Sequence, residues 1–526
     1  MAYLNGLVGH NGGYGCRLYC PIKGRHKHGQ PYYYPAFLIP DNYTVPGCDH
    51  PDYDAAHIPV ATQGVNDYAT NLQYVLDSTG ETNYKRRRLA TGISKPSIFS
   101  GLPRTLGVPG CFPADLMHLV SLNLTDLFLG LWRGTIDCDA TDNRNDWDFA
   151  VLRNADTWKQ HGAVIANALP YLPTSFDRPP RNPAEKISSG YKAWEFLTYI
   201  FGLAPATLYG ILPDQYWVNF CRLVGAVRLL HQRSITRDEI LRSHARVVQF
   251  IKDIHALIHM AFETIRLGPL CYFTQWTLER TIGNLVEELK QHSRPYANLS
   301  QRYLRRGEVN ALKAMVPELD PDGISLPPGA QSFEDGYVFL PARDKSPRLM
   351  GPLESQALWR YLGLERGDNA RVARWSRLRL PNGQIARAAW KEKAKSLNKV
   401  RMCRNVKLHL NNRTEFAEVQ FYFSVIVNSV EHPLALVSLF SPPDPNMLEK
   451  SLGAVWSCRY QGAAGLRVVP IKCITSVVAV VPFPLGAHTQ VRAIAERPHF
   501  IVEKMGLDVA YMGGHEEIEA IADEVE

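Results

Sequence analysis

Glu279 lies in the run CYFTQWTLERTIGNLVEELKQHSRPYANLSQ (residues 271–301), with aromatic and apolar neighbours near the start of an expected helix. A carboxylate in such a setting is costly to bury alone, so it is expected either to pair with adjacent Arg280 or to hold a metal ion. A second group that can do chemistry is Cys16 with Cys20, whose spacing lets two thiolates reach one zinc. His10, His26, His28, Cys48 and His50 are near enough in sequence to complete the set. The ligand set expected is Cys16, Cys20, His10 and Cys48 around a structural zinc, against buried free thiols and surface histidines. A third group is cationic. Residues 360–407 hold fourteen Lys and Arg against three acidic residues, a local charge of +11 in a chain of net +7. Such concentration suits a phosphate-binding surface, so Arg374, Arg377, Arg379, Lys391, Lys393 and Lys395 are expected to contact DNA. Trp359, Trp375 and Trp390 punctuate it with flat faces for packing or stacking. The alternative is a solvated face anchored by its tryptophans.

Several sharper readings fail on residue identity. His255 and His259 have the helical spacing of a zinc-protease pair, but Ala256 stands where the general-base glutamate belongs. Asp137, Asp139, Asp142, Asp146 and Asp148 crowd one loop, yet Asp142 takes the place of a calcium loop's glycine. The glycines of GHNGGYG lack the Lys-Ser/Thr of a phosphate-binding loop. Lys85-Arg86-Arg87-Arg88 is a candidate nuclear import signal.

The elements that must position these groups follow from composition and period. Residues 1–60, rich in Gly, Tyr, Pro, Cys and His, predict a loop-rich lobe, and 61–110 a connector that ends in a turn-rich passage, KPSIFSGLPRTLGVPG, expected to be ordered but irregular. Residues 111–320 read as helical. Within them Thr236 and Glu239 form a capping box ahead of Ile240, Leu241, Val247, Val248, Ile251, Ile254 and Ile258 at three- and four-residue spacing. A Pro/Gly-rich linker is expected at 321–358 and a basic helical segment at 359–410. Residues 411–526 read as a β-rich domain with an acidic tail. In 414–427 the apolar Ala417, Val419, Phe421, Phe423, Val425 and Val427 alternate with Glu418, Gln420, Tyr422 and Ser424, which predicts a sheet with one buried face.

The blocks GHNGGYGCRLYC (9–20), ADLMHL (114–119), SSGYKAWEF (188–196), TLERTIGNL (277–285) and RPYANLSQR (294–302) resemble, in that order, the CACTA-type (En/Spm-like) DNA transposases of the fungal kind. LPNGQIAR (380–387) and GLDVAYMGG (506–514) resemble the tail of the same group. The resemblance implies a ribonuclease-H-like core in which two aspartates and a glutamate hold Mg or Mn ions for cutting and rejoining DNA. Clustered carboxylates are needed there because two cations roughly 4 Å apart activate the attacking oxygen and stabilise the leaving one. Glu279 takes the glutamate's position, and Asp115 with His118 match the family's Asp-x-x-His signature. The two aspartates belong ahead of GHNGGYGC, so the expectation is a chain lacking both and inactive as a nuclease. Near 247–259 there is also less intervening sequence than the family has.

The fold class that follows is α+β and multi-domain: a partial ribonuclease-H-like core with a large helical insertion, the basic helical segment, then a small all-β C-terminal domain. The function expected is that of a transposase-family protein related to cut-and-paste transposition, catalytically inactive in this form. The alternative is a non-catalytic DNA-binding or chromatin-associated relic. Ten thinly spread cysteines and a polar start predict a reducing compartment, with the nucleus as location, and leave the sequons at Asn42, Asn123, Asn298 and Asn412 without meaning. The charge-free stretch 196–212 is broken by Pro205 and two glycines, which predicts buried helices rather than a membrane span.

Overall fold

A computed structural model describes residues 2–26, 31–34, 36–39, 43–58, 67–138, 143–250, 255–288, 293–319, 326–365, 367–483 and 497–507. The chain is α+β and divides into two units, Met1–Asp115 with Asp214–Phe273, and Leu116–Pro213 with Thr274–Glu526. The acidic tail and His28 lie outside the described residues.

In the first unit, the described residues of 2–58 carry one short helix, Ala2–Asn5, and the two-residue strands Arg25–His26 and Tyr33–Tyr34. With so few ladder bonds the lobe is held by a polar knot. The Arg25 side chain is fully buried and its guanidinium donates to the carbonyls of Leu38, Cys48, His50 and Phe37. The turn-rich passage 95–110 is irregular as expected, and the part of the connector ahead of it carries the helices Tyr68–Leu76 and Glu81–Thr91. Asp67 caps the first through the Ala69 N–H, and Gly92 ends the second in the left-handed conformation that glycine adopts freely. Lys85 to Arg88 therefore sit on a helix rather than a loop, where Lys85 pairs with Glu81 and Arg87 covers the Tyr74 ring. Three helices complete the unit: Asp214–Leu230, Arg237–Phe250 and His255–Leu267. The capping box forms as its spacing predicts, Thr236 N–H donating to Glu239 at 2.7 Å and Glu239 N–H to the Thr236 hydroxyl at 3.3 Å.

The helical block of the sequence is thus divided, since residues 116–213 and 274–319 belong with the second unit. Residues 117–132 form one helix whose first half, Met117–Leu124, is wound with wide i→i+5 turns. The apolar stretch 196–212 lies in a continuous helix, 193–207, buried from Leu197 to Leu208 and closed by Gly210 at φ 72°. Among the described residues no helix is long and apolar enough to cross a membrane.

The remainder is built on a nine-stranded antiparallel sheet, running Leu466–Pro470, Val430–Leu439, Arg413–Val427, Trp375–Arg379, Val338–Arg343 and Gln331–Ser332. Asn405–Leu410 pairs with Arg413–Val427 and with Ile474–Val477, and Ile385–Arg387 pairs with Trp375–Arg379. Two-residue turns set the register of the long strand at both ends. Asn411 and Asn412 before it, and Asn428 and Ser429 after it, all have positive φ, as the tightest hairpins demand. Three expectations are corrected here. The segment 359–410 is not a run of helices. Its middle is strand, with Trp375 and Leu378 buried in the core of the sheet, and among the described residues helix is confined to Pro352–Leu362, Ala389–Glu392 and a turn at Leu397–Lys399. The presumed linker 321–358 likewise contributes sheet strands and the helix Pro352–Leu362. Nor does Arg413–Val427 have one polar face. Glu418 and Tyr422 are buried with Phe416, Val419 and Phe423: Tyr422 packs into the main core beside Phe339, while Phe416 faces a second apolar cluster of Phe440, Trp456 and Val480.

Glu195 in the second unit is 0% exposed. It receives Arg181 Nε at 2.6 Å and Nη2 at 2.9 Å, Arg178 Nε at 3.1 Å and the Lys192 N–H at 3.0 Å. Burial alone would raise its pKa, but the Arg181 and Lys192 donors outweigh it and hold the carboxyl below its ordinary 4.5. A depressed carboxylate stabilises the fold above its unfolded pKa and loses that contribution as pH falls through the folded value. Glu195→Gln is expected to cost about 3 kcal/mol at neutral pH, the low end for a broken buried pair because both guanidiniums reach solvent. In denaturation series the deficit should shrink below about pH 4. A deficit that is flat with pH would show that the charge is not what stabilises.

Candidate metal centre and candidate nucleic-acid contacts

Cys16, Cys20 and His259 meet in the first unit, with one ligand atom from each lying within 4.8 Å of the others. Cys16 Sγ is 3.4 Å from His259 Nε2. Zinc–thiolate and zinc–imidazole bonds at tetrahedral angles place ligand atoms about 3.5–3.8 Å apart, so this spacing is near what one ion requires. The turn Cys16–Tyr19, closed by Tyr19 N–H to the Cys16 carbonyl at 3.0 Å, folds Cys20 back toward Cys16. Tyr19 takes φ 59° there and packs edge-on against Tyr68 at 5.4 Å.

An ion pair registers this turn against the helix His255–Leu267. Arg17, next to Cys16, places Nη2 2.6 Å from Glu263 Oε1 and donates Nη1 to the Phe112 carbonyl at 2.8 Å. Glu263 lies one helical turn after His259, is 1% exposed, and accepts the Ala114 N–H at 2.9 Å through its other oxygen. Burial, reinforced by the neighbouring Cys16, pushes the Cys20 thiol well above its ordinary pKa. A bound cation reverses that logic by ligating the thiolate. Two thiols and an imidazole can therefore hold a soft or borderline divalent metal.

The ligand set differs from the one expected. His10 is exposed and Cys48 is buried beside the Arg25 knot, and neither joins the group. His26 packs against Tyr33, and His50 against Tyr53. The third ligand, His259, comes from the His255/His259 pair, which the sequence reading tested only as a protease motif. The signal available was a second pair of zinc-type ligands at helical spacing, His255 and His259, elsewhere in the chain.

Glu279 is exposed on the first turn of the helix Trp276–Glu288, contrary to the buried setting its neighbours suggested. Trp276 turns away to stack on Trp194 at 4.3 Å, while Leu278 and Ile282 are themselves exposed. Arg280, adjacent on the helix, points about 100° away from Glu279 and is not a natural partner. Asp115 and His118 are half-buried, and neither they nor Glu279 belong to a group of three metal ligands among the described residues.

The six cations divide. Arg374 Nε pairs with Asp344 at 2.8 Å, and its guanidinium sits 4.3 Å from the Trp390 ring centre. Arg377 caps the Pro341 carbonyl, Nε donating at 3.0 Å. Lys393 pairs at 2.7 Å with buried Glu418, which also accepts from Arg404 Nε and the Tyr460 hydroxyl at 2.7 Å each. Lys391 lies exposed over the other ring contact of Trp390 at 4.2 Å, Lys395 is exposed, and Arg379 is half-buried on its strand. The tryptophans are packing groups: Trp375 is core, Trp359 donates to the Asp368 carbonyl, and Trp390 is already flanked by cations.

Comparison with protein-family models, curated proteins and solved structures returns no match to this chain.

The partition is open to measurement by denaturant unfolding. Glu279→Gln should change stability by less than about 0.5 kcal/mol, as expected for an exposed carboxylate near a helix start. Arg374→Ala should cost about 2 kcal/mol, since it strands the Asp344 carboxylate. A neutral Arg374→Ala would return that residue to the pool of free cations.

Proposed function

We propose that this chain is a DNA-binding protein of the CACTA transposase type whose N-terminal unit is organised by a structural zinc ion. The convergence of Cys16, Cys20 and His259 carries the reading, since thiolate with imidazole selects zinc over Mg or Mn. The three donors fill three of zinc's four tetrahedral corners. The transposase type is supported by the ordered motif blocks of the sequence, and DNA contact by the cation-rich segment 360–407. Lys391, Lys395 and Arg379 are the phosphate contacts of choice, because Arg374, Arg377 and Lys393 are engaged within the fold. The proposal gives Glu279 no metal and rests on binding rather than strand cleavage. A nuclear location follows from the reading.

The protein purified without chelator should carry one equivalent of zinc. Cys16→Ser and His259→Ala should each abolish retention, while His10→Ala and Cys48→Ser keep it. The cobalt-substituted protein should show thiolate-to-metal charge-transfer bands, and a metal-free wild type would sink the zinc reading.

DNA affinity should fall with salt by roughly 0.9 log units per log unit of salt for each phosphate neutralised. Replacing Arg379, Lys391 and Lys395 together with alanine should flatten that slope by about 2–3. An unchanged slope would remove these residues from the interface.

A further inference from the structure

A cavity of about 1000 Å³ in the second unit opens between the helix Ala155–Asn167, the turn Leu169–Tyr171 and Thr207 on one side and the strands Ile385–Arg387, Ala479–Pro482 and His499–Val502 on the other. Its charged lining among the described residues is of one sign, Arg387, Lys399, Arg401 and Arg497, with no carboxylate. Arg401 is engaged, donating Nε to the Leu172 carbonyl at 3.0 Å and Nη2 to that of Pro173 at 2.6 Å. Arg387 reaches no closer than 3.9 Å to Glu392, beyond hydrogen-bond range.

Two donors on the lining stand unsatisfied among the described residues. Arg497 Nε is buried without a hydrogen-bond partner, and so is the hydroxyl of Thr207, a residue only 4% exposed. Buried polar groups are nearly always partnered, and an all-cation lining repels itself until an anion enters. The strand pairing fixes Arg497 in place, since His499–Val502 pairs with Ala479–Pro482 and Phe483 N–H donates to the Pro498 carbonyl at 2.9 Å. The rest of the wall is apolar and aromatic, with Tyr171, Phe483 and Phe500, and the volume is ample for a small organic ligand.

We propose that this cavity binds a phosphorylated ligand with a flat aromatic body, the chemistry of a nucleotide. Arg387, Lys399 and Arg497 receive the phosphate, Thr207 supplies a hydrogen bond, and the aromatic wall receives the base. The source is either a free nucleotide or the phosphorylated end of a nucleic-acid strand.

Calorimetric titration of the full chain tests this with 2′-deoxyadenosine 5′-monophosphate, deoxyadenosine and inorganic phosphate. The nucleotide should bind at least tenfold more tightly than either fragment. Lys399→Gln, an exposed position, and Arg497→Gln should each weaken it several-fold without moving the thermal unfolding midpoint, and Thr207→Val should weaken it less. Competition by a 5′-phosphorylated single strand, but not by its unphosphorylated twin, assigns the strand end; absence of competition assigns the free nucleotide. No binding of the nucleotide, equal binding of the nucleoside, or full affinity in folded Lys399→Gln overturns the proposal.

Discussion

The ion pair between Arg17 and Glu263 is the contact on which the first unit depends. Glu263 is 1% exposed, a position no carboxylate can hold without partners, and Arg17 with the Ala114 N–H supplies them. Because Arg17 follows Cys16 directly and Glu263 follows His259 by one helical turn, the same pairing sets thiol against imidazole. The Cys16–Cys20–His259 cluster and the ion pair are neighbouring rungs of one junction between a loop and a helix. The loop has few other means of support. Arg25 shows the same economy of construction, gathering the backbone carbonyls of Phe37, Leu38, Cys48, His50 and Pro51.

In the second unit the corresponding constraint is the long strand Arg413–Val427, paired along one edge by two different partners and covered on both faces. Glu418 is buried on this strand and needs Lys393, Arg404 and Tyr460. Burial pushes its pKa up, but hydrogen bonds from Lys393 and Tyr460 hold the carboxyl below the ordinary range. Nearby Glu392 falls on the other side of the balance: burial prevails over the Cys403 N–H and Arg404, and its pKa rises. The cation density of residues 360–407 is therefore partly an internal matter. Asp344, Glu392 and Glu418 each draw on it, which a count of charges along the chain cannot reveal.

What was legible in the sequence was local. The capping box at Thr236, the two-residue period of 414–427 and the pairing of Cys16 with Cys20 all depend on residues a few positions apart. The α+β class followed from the same periods. What was not legible depended on partners far away. His259 joins Cys16 across 243 positions, and Glu418 is buried among Lys393, Arg404 and Tyr460, which lie 14 to 42 positions away from it. The strand at Trp375–Arg379 was hidden by its arginines, whose charge suggested a solvated helix, and its apolar residues Trp375 and Leu378 stand three apart, which is no sheet period.

Glu263 and Glu279 show why composition around a carboxylate is a weaker guide than helical phase. Both stand on helices among apolar residues, and the aromatic run around Glu279 made it look the more buried. On His255–Leu267 the buried positions Leu257, Met260, Ala261 and Thr264 form a stripe that includes Glu263. On Trp276–Glu288 Leu285 is buried while Leu278 and Ile282 are exposed, and Glu279 shares their exposure. The buried carboxylate is the one that must be neutralised, and it recruits an arginine. The exposed one is satisfied by water. The thiol pair follows the same rule, since burial raises Cys20 toward its neutral form and only a cation in the cluster makes two adjacent thiolates stable.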